Sequence, residues 1–277
     1  MSAQPQPIGH SLHPEHAGGM HRQYKLKKDK IDPENPLHHL HTFAAPKSVL
    51  PTHVDLRPHC PDVYNQLDLG SCTANAIAAA YEYDQIRQKE TGIVTPSRLF
   101  VYYNERALEN STSEDAGAAI ADGVNCVHTI GVCNESPEQW PYDITKFTIK
   151  PPQNLYDIAA KHKTGQFKRI AQNLTQIKTA LAQGLCIVFG ITVYESFESE
   201  TVAQTGNVPM PQADQKCLGG HAIVIVGFDD AKKVFIVRNS WGDSWGDKGY
   251  CYFPYQYILD PNLSSDFWAI INVIDQQ

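Results

Sequence analysis

The sequence predicts an α+β protein with two lobes, one mainly helical and the other built from strands. The 277 residues are 42% hydrophobic and 19% charged, which is typical of a globular chain with a sizeable core. Helix-forming segments dominate from Cys72 to His162, whereas segments rich in β-branched and aromatic residues dominate from Leu185 onward. Helices that precede strands, instead of alternating with them, indicate this fold class.

Four helices are predicted from composition and end signals. The first covers residues 72–90, is rich in alanine and ends before Gly92, which suits the position after a helix. The second follows Thr95-Pro96, read as an N-cap and a first helical residue. The third spans residues 118–130, and the fourth spans residues 174–183 before Gly184.

Five strands are predicted in the second half of the chain, at residues 185–193, 221–228, 233–239, 249–253 and 267–274. The second and third flank the polar turn Asp229-Asp230-Ala231 and therefore form a hairpin. If Asp230 is the centre of that turn, His221 lies directly opposite Asn239 on the same face of the hairpin.

Residues 1–49 are expected to form an extension with little regular structure ahead of a domain at residues 50–277. The first fifty residues hold seven of the twelve histidines and six prolines, and they carry a net charge of +2 against −9 for the rest. The spacing of His10, His13 and His16 matches no closed structural zinc site, so no metal or cofactor is predicted.

Charge and composition exclude several functional classes. A net charge of −7 and a pI of about 5.9 argue against general affinity for nucleic acid. The sequence contains no apolar run of transmembrane length and no Sec-type signal at its start, so no membrane partner is expected. The seven cysteines are odd in number and form no CxxC pair, which favours the cytoplasm or another reducing compartment, including a virion for a viral chain.

Cys72 is the candidate nucleophile because it lies where a loop becomes a helix. The positive end of the helix dipole and the unpaired N–H groups there favour the thiolate, which is the reactive form. Gly70 and Ser71 before it leave the backbone open to a substrate. A buried, inert cysteine is the commoner alternative for a lone cysteine.

His221 is the candidate base, with Asn239 as the group that holds its ring in one tautomer and orientation. Gly219 and Gly220 keep the surroundings of His221 uncrowded, and Trp241 is placed to cover the contact between His221 and Asn239 against water. An ordinary core hairpin with a hydrogen-bonded histidine is the alternative. Its occurrence together with the Cys72 loop favours catalysis.

These motifs resemble the papain-like cysteine peptidases, the cathepsin family. The pattern of Gln66, five residues and Cys72, then a distant His221 and Asn239 in NSWGDSWGDKGY, is specific to that family. The segment LPTHVDLRPHCPDVYNQ resembles the start of the mature peptidase, and the resemblance extends from about Leu50 to Ile274.

The resemblance implies a papain-like fold, with a helical lobe, a β-barrel-like sheet lobe and the active-site cleft between them. It implies a peptidase that acts on protein or peptide substrates through a Cys-His-Asn triad and a thioester, with Gln66 helping to bind the oxyanion. Endopeptidase action is the default expectation and exopeptidase action the alternative, because the sequence shows no clear His-His insertion of the kind that blocks one end of the cleft in carboxydipeptidase relatives. Gly117, Gly220 and Trp241 are the expected substrate-binding residues. A short N-terminal prosegment that crosses the cleft is one expectation for residues 1–49, and a tail with no inhibitory role is the alternative.

The chain also departs from the family pattern. Leu69 stands where a half-cystine is usual, which fits an intracellular microbial or viral branch, and Gly117 follows Ala116 in place of a Gly-Gly pair. Other functions considered for this sequence are an acyl or peptidyl transferase on the same triad, a non-catalytic binding module on the same fold, and a serine hydrolase that uses Ser71.

Overall fold

The structure is a computed structural model that describes residues 22–43 and 49–275. Within these ranges the helices are α1 Cys72–Gln88, α2 Arg98–Leu108, α3 Ile120–Thr129, α4 Gln153–Ala159, α5 Leu174–Ala182, α6 Glu200–Thr205 and α7 Tyr255–Leu259. The strands are β1 Leu40–His41, β2 His53–Asp55, β3 His162–Ile170, β4 Ile187–Tyr194, β5 Cys217–Asp229, β6 Val234–Arg238, β7 Tyr250–Pro254 and β8 Ser264–Asp275. The predicted α+β class with a helical and a sheet lobe is therefore confirmed.

Helix α1 is the central element between the two lobes. Its residues 72–85 are all buried, and it packs against α2 and α3 on one side and against β5 and β8 on the other. A helix that is buried on every face needs small side chains, which explains the alanine-rich sequence. The helix ends at Gln88 because Lys89 takes the left-handed conformation, so the predicted end at Gly92 is wrong by a few residues.

Helix α2 also begins later than predicted. Ser97 is its N-cap, and its hydroxyl accepts a hydrogen bond from Phe100 N at 3.2 Å. Thr95 instead donates its hydroxyl to Glu82 of α1. Both Ser97 and Thr95 have side chains suited to capping, and the contact with α1 decides between them.

The sheet has the strand order β1-β3-β8-β4-β5-β6-β7, and β2 pairs with β5. All five predicted strands are present. The long strand β3 was not predicted, because its sequence HKTGQFKRI mixes polar and apolar residues without clear alternation. It is held in the sheet by pairing with β8, a contact between segments that are about a hundred residues apart.

The hairpin of β5 and β6 is present, but its predicted register is wrong. The turn contains four residues, 230–233, and Phe228 pairs with Phe235. Asp229 fixes this longer turn by accepting hydrogen bonds from the N–H groups of Ala231 and Lys232. A β-bulge between Ile225 and Gly227 shifts the register once more, so His221 has no directly opposed partner at position 239.

Residues 22–31, named here the strap, run in an extended conformation over the groove between the lobes. The N–H of Leu26 donates to the Gly220 carbonyl at 3.0 Å, and the N–H of Lys27 donates to the Ala118 carbonyl at 3.0 Å. These two bonds join the strap to the sheet lobe and the helical lobe respectively. The strap therefore lies between the two lobes and is bound to both.

Two further features concern the chain as a whole. All seven cysteines lie in the described ranges and are free thiols. None of the helices that the structure describes has the length and apolar character required to span a membrane.

The predicted boundary at residue 50 between the N-terminal extension and the domain remains a prediction. His10, His13 and His16 lie outside the described residues.

Candidate active site

Cys72 is the first residue of α1, as the sequence predicts. The residue is 1% exposed, and the backbone N–H groups of Cys72, Thr73 and Ala222 point to its sulfur. The first two belong to the helix N-terminus, whereas Ala222 lies on β5 beside His221. The sulfur therefore lies at the contact between the two lobes, next to the predicted base.

His221 and Asn239 are in contact although they are not paired in the sheet. The Nε2 atom of His221 lies 2.8 Å from Asn239 Oδ1, and that same oxygen accepts the Ser240 N–H at 2.8 Å. Asn239 reaches the ring because it follows the last residue of β6, where the chain turns toward Trp241. The Nδ1 atom of His221 is buried and has no hydrogen-bond partner among the described residues.

Trp241 covers the imidazole as predicted. Its ring is stacked on that of His221, with centroids 5.1 Å apart and an angle of 24° between the planes. Phe197 and Trp245 support the indole from the sheet lobe. The aromatic cluster excludes water from one face of His221 and from its bond to Asn239.

Gln66 is connected to His221 and Asn239 through Ser240. Its Oε1 accepts the Ser240 hydroxyl at 2.6 Å, and its backbone N–H donates to the Ser240 carbonyl at 2.8 Å. These bonds fix the amide so that Nε2 points toward the loop before Cys72, where it donates to the Leu69 carbonyl at 3.0 Å. The second Nε2 proton remains for another acceptor.

The protonation states in this covered site differ from the expected thiolate. Burial raises the pKa of the Cys72 thiol to about 12, against the lowering effect of the N–H groups of Ala222, Thr73 and Cys72. Burial also lowers the pKa of His221 to about 4, and nearby Arg22 adds to this lowering. A neutral thiol and a neutral imidazole are therefore favoured while the strap excludes water.

The strap lies directly over His221 and Trp241. The guanidinium of Arg22 lies 4.0 Å from the centre of the Trp241 ring, and the Tyr24 ring lies 6.0 Å from that of His221. The Tyr24 hydroxyl donates to Glu198. These contacts explain why His221 has no exposed surface.

Asp29 anchors the other end of the strap. Its Oδ1 accepts the N–H of Ala121 at 2.8 Å in the first turn of α3, a helix whose own N-cap, Ala119, offers no side chain. Its Oδ2 accepts the indole N–H of Trp268 at 2.6 Å. Burial, together with the neighbouring Asp266 carboxylate, raises the pKa of Asp29 to about 7.

The three predicted substrate-binding residues all lie under the strap. Trp241 contacts Arg22, the Gly220 carbonyl binds Leu26, and a Cβ on Gly117 would overlap the Lys25 carbonyl. Gly117 has a φ of +68°, so its backbone shape and the space above it both require glycine.

Sequence reasoning missed the neighbouring residues that hold the strap. Ala118 supplies the carbonyl acceptor on the helical wall, and Glu109 and Asp115 bind strap lysines through their carboxylates. The apolar Leu26 between Lys25 and Lys27 was the available signal, because extended chains present alternate side chains to opposite walls.

Comparison with known proteins agrees with this geometry. The sequence profile of the papain family of cysteine proteases matches residues 50–259. An uncharacterized peptidase of the same class from Acanthamoeba polyphaga mimivirus is 46% identical over 226 residues, which cover 78% of this chain and 72% of the relative. Peptidase 1 of the mite Psoroptes ovis is 27% identical, and the match covers 77% of this chain but only 62% of that protein.

Solved structures give the same result. Xylellain, a cysteine protease from Xylella fastidiosa, superposes with a TM-score of 0.81 at 37% identity, over 90% of this chain and 96% of that one. Digestive procathepsin L 3 of the Tenebrio molitor larval midgut superposes with a TM-score of 0.62 at 16% identity, over 83% and 72% of the two chains. The second likeness is one of fold.

Proposed function

The chain belongs to the papain family of cysteine proteases, and from this premise we propose that it hydrolyses peptide bonds through Cys72, His221, Asn239 and Gln66. The observation that carries the proposal is the state of the imidazole. Its Nε2 is held by Asn239, and its Nδ1 has no hydrogen-bond partner among the described residues, while the N–H of the next residue, Ala222, meets the Cys72 sulfur. An oriented base with one free nitrogen next to a cysteine at a helix N-terminus is what a nucleophilic thiol requires.

The reaction follows from these positions. The Cys72 proton moves to His221 Nδ1, and the sulfur attacks the peptide carbonyl to form a tetrahedral adduct. The Cys72 N–H and the remaining Nε2 proton of Gln66 are the donors for its oxyanion. His221 returns the proton to the leaving amine, which leaves a thioester on Cys72. The imidazole then takes a proton from water, the hydroxide attacks the thioester, and the acid and thiol are released.

We propose an endopeptidase on the basis of what the groove already holds. The strap places ten consecutive residues, 22–31, in the groove. Arg22 contacts Trp241 at one end, and Asp29 binds Trp268 near the other. A groove that accepts ten residues of continuous chain does not require either terminus of a substrate at the catalytic pair.

The described form is, in this proposal, latent. The strap uses the main-chain acceptors of Gly220 and Ala118 that a substrate would use, and it keeps water from the Cys72 thiol. Displacing it restores water to the site. The pKa of Cys72 then falls and that of His221 rises, so the reactive thiolate–imidazolium pair becomes accessible.

Alkylation with iodoacetamide, read by mass spectrometry, tests the latent form. Cys217 is exposed and serves as the internal reference for reagent and pH. In the full chain, Cys72 should react much more slowly than Cys217. In a full-length variant with Leu26→Asp and Lys27→Gln, Cys72 should react faster than Cys217, and cleavage of a fluorogenic peptide should increase in parallel.

The chemistry is tested in the same open-strap variant. Prior alkylation of Cys72, or Cys72→Ala, should abolish peptide cleavage, and product masses should show addition of water. Cleavage that survives either treatment would disprove the assignment of Cys72 as nucleophile. Equal reactivity of Cys72 in the closed and open chains would disprove the latent form and leave the chemistry standing.

A further inference from the structure

The strap is bound as an extended peptide, so the walls that hold its side chains are also walls that a substrate meets. Lys25 and Lys27 point to the helical lobe, where their ammonium groups bind Asp115 and Glu109. Leu26, between them, faces the sheet lobe and contacts Gly190 and Gly220. Alternation of this kind belongs to any extended backbone in the groove, whichever way it runs.

Glu109 is arranged around the position of Lys27. One of its carboxylate oxygens binds the Lys27 ammonium, and the other accepts the Ala119 N–H at 3.3 Å. The residue before Ala119 supplies the carbonyl that holds the Lys27 backbone. The same short stretch of chain therefore fixes the backbone of the occupant and the carboxylate that meets its side chain.

Asp122 adds a second carboxyl to this position. It lies in the first turn of α3 and shares a hydrogen bond with Glu109, and the charge of Lys27 offsets part of the rise in its pKa that burial and Glu109 cause. Asp115, by contrast, already accepts hydrogen bonds from the Gly70 N–H and the Tyr102 hydroxyl. When the strap leaves, the pair of Glu109 and Asp122 loses its cation, whereas Asp115 keeps two donors.

From this arrangement we infer that Glu109, with Asp122, forms a subsite that selects a lysine or arginine side chain of the substrate. The inference rests on the proposed function. Tyr24 and Lys25 lie next to the catalytic pair, so Lys27 marks a position about two or three residues from the scissile bond. A basic side chain there restores the lost ion pair. A neutral side chain leaves two partly buried carboxyls without a cation, and an acidic one is repelled.

The test uses full-length chain with Leu26→Asp and Lys27→Gln, which vacates the subsite. Fluorogenic peptides that differ only by Lys, Gln or Glu at one position are compared, with that position moved along the peptide. At one position kcat/KM for the Lys peptide should exceed that for the Gln peptide roughly 3- to 10-fold at pH 7.5. Adding Glu109→Gln should make kcat/KM for the Lys and Gln peptides nearly equal. Adding Glu114→Gln, which changes an exposed carboxylate of the nearby loop, should preserve it.

The pH dependence gives a second signature. Burial, together with the hydrogen bond and charge of Glu109, raises the pKa of Asp122 to about 6. The other charged groups near Asp122 are Lys27, Asp29, Lys30 and Glu105. The ratio of kcat/KM for the Lys peptide to kcat/KM for the Gln peptide should therefore rise between pH 5 and pH 7.5. Glu109→Gln should flatten this rise, which a structural role for Glu109 alone would not do.

Binding separates this inference from the proposed function. The same peptides are titrated by fluorescence polarisation onto the open-strap chain with Cys72→Ala, which requires no catalysis. A Kd ratio that favours Lys and disappears with Glu109→Gln supports the subsite even if no peptide is cleaved. Equal Kd and kcat/KM values for the Lys and Gln peptides at every position would overturn it, while cleavage of both would leave the peptidase assignment intact.

Discussion

At the scale of single residues, the sequence predicted which side chains come together at the candidate site but only some of their contacts. Cys72, His221, Asn239 and Gln66 were proposed from motif and spacing, and the structure brings His221 to Asn239 and Gln66 to Ser240. Ser240 was not recognised as the residue that fixes Gln66, because a serine in a turn carries no sequence signal for such a role. The covered, neutral state of Cys72 was also unexpected, since it depends on burial by a distant segment.

Asn239→Ala should lower kcat less than His221→Ala in the open-strap chain. Alanine at 239 removes the acceptor that holds His221 Nε2 but leaves the imidazole in place under Trp241. Steady-state kinetics with one fluorogenic peptide measure both variants, and circular dichroism checks their folding. An equally severe loss in two folded variants would show that Asn239 does more than orient the ring.

Gln66→Ala should lower kcat by about 10²–10³ with a smaller change in KM, because an oxyanion donor acts mainly in the transition state. Ser240→Ala is the companion variant. It removes only the 2.6 Å bond that positions the amide, so its effect should be smaller and of the same kind. A loss confined to KM in Gln66→Ala would indicate a role in ground-state binding instead.

At the scale of elements, helices and strands were predicted better than their ends and pairings. Helix α1 and the hairpin of β5 and β6 were both expected, yet Lys89 ends the helix and a four-residue turn with a bulge sets the hairpin register. Each error lies where a local preference is weak and a contact decides. The contact between His221 and Asn239 was predicted correctly from a wrong register.

Gly220→Ala should loosen the strap without straining β5. The φ of Gly220 lies outside the left-handed region, but an added Cβ would lie 2.9 Å from the Leu26 carbonyl oxygen. The strap must move, because that neighbour is backbone. Iodoacetamide should therefore modify Cys72 several times faster relative to Cys217 than in the native chain. No change in that ratio would show that the strap does not control access to Cys72.

The join between the strap and α3 should weaken as pH rises. Asp29 has a pKa of about 7 when the strap is closed and an ordinary value of 3.8 when it is free, so closing favours the protonated form. The contribution is fully present below about pH 4 and is lost as pH rises through 7. Hydrogen exchange of the strap amides, corrected for intrinsic rates, should show falling protection between pH 5 and pH 8. Asp29→Asn is the control and should show a smaller pH dependence.

At the scale of the whole molecule, buried ion pairs join segments that the sequence keeps apart. The Arg98 guanidinium binds Glu135 at 2.5 Å, contacts the rings of Tyr64 and Tyr142, and donates to the carbonyl of Asn65. It thereby holds the loop that carries Gln66 to the helical lobe.

Arg98→Ala should lower the free energy of unfolding by about 3–5 kcal/mol, because it leaves the Glu135 carboxylate buried without its cation. Lys146→Ala is a matched control, since its pair with Asp143 is exposed and its loss should change the free energy of unfolding far less. Urea unfolding followed by tryptophan fluorescence measures both. Similar values for the two variants would contradict the structural role of Arg98.

The sequence by itself determined the class of fold, the family and the side chains that we propose as catalytic, because these follow from local composition and from motifs a few residues long. Only the tertiary structure decided the hairpin register, the place of β3 in the sheet and the course of residues 22–31 through the groove. Those features depend on contacts between residues far apart in the chain. Their energies are set by burial and by partners that no single segment contains.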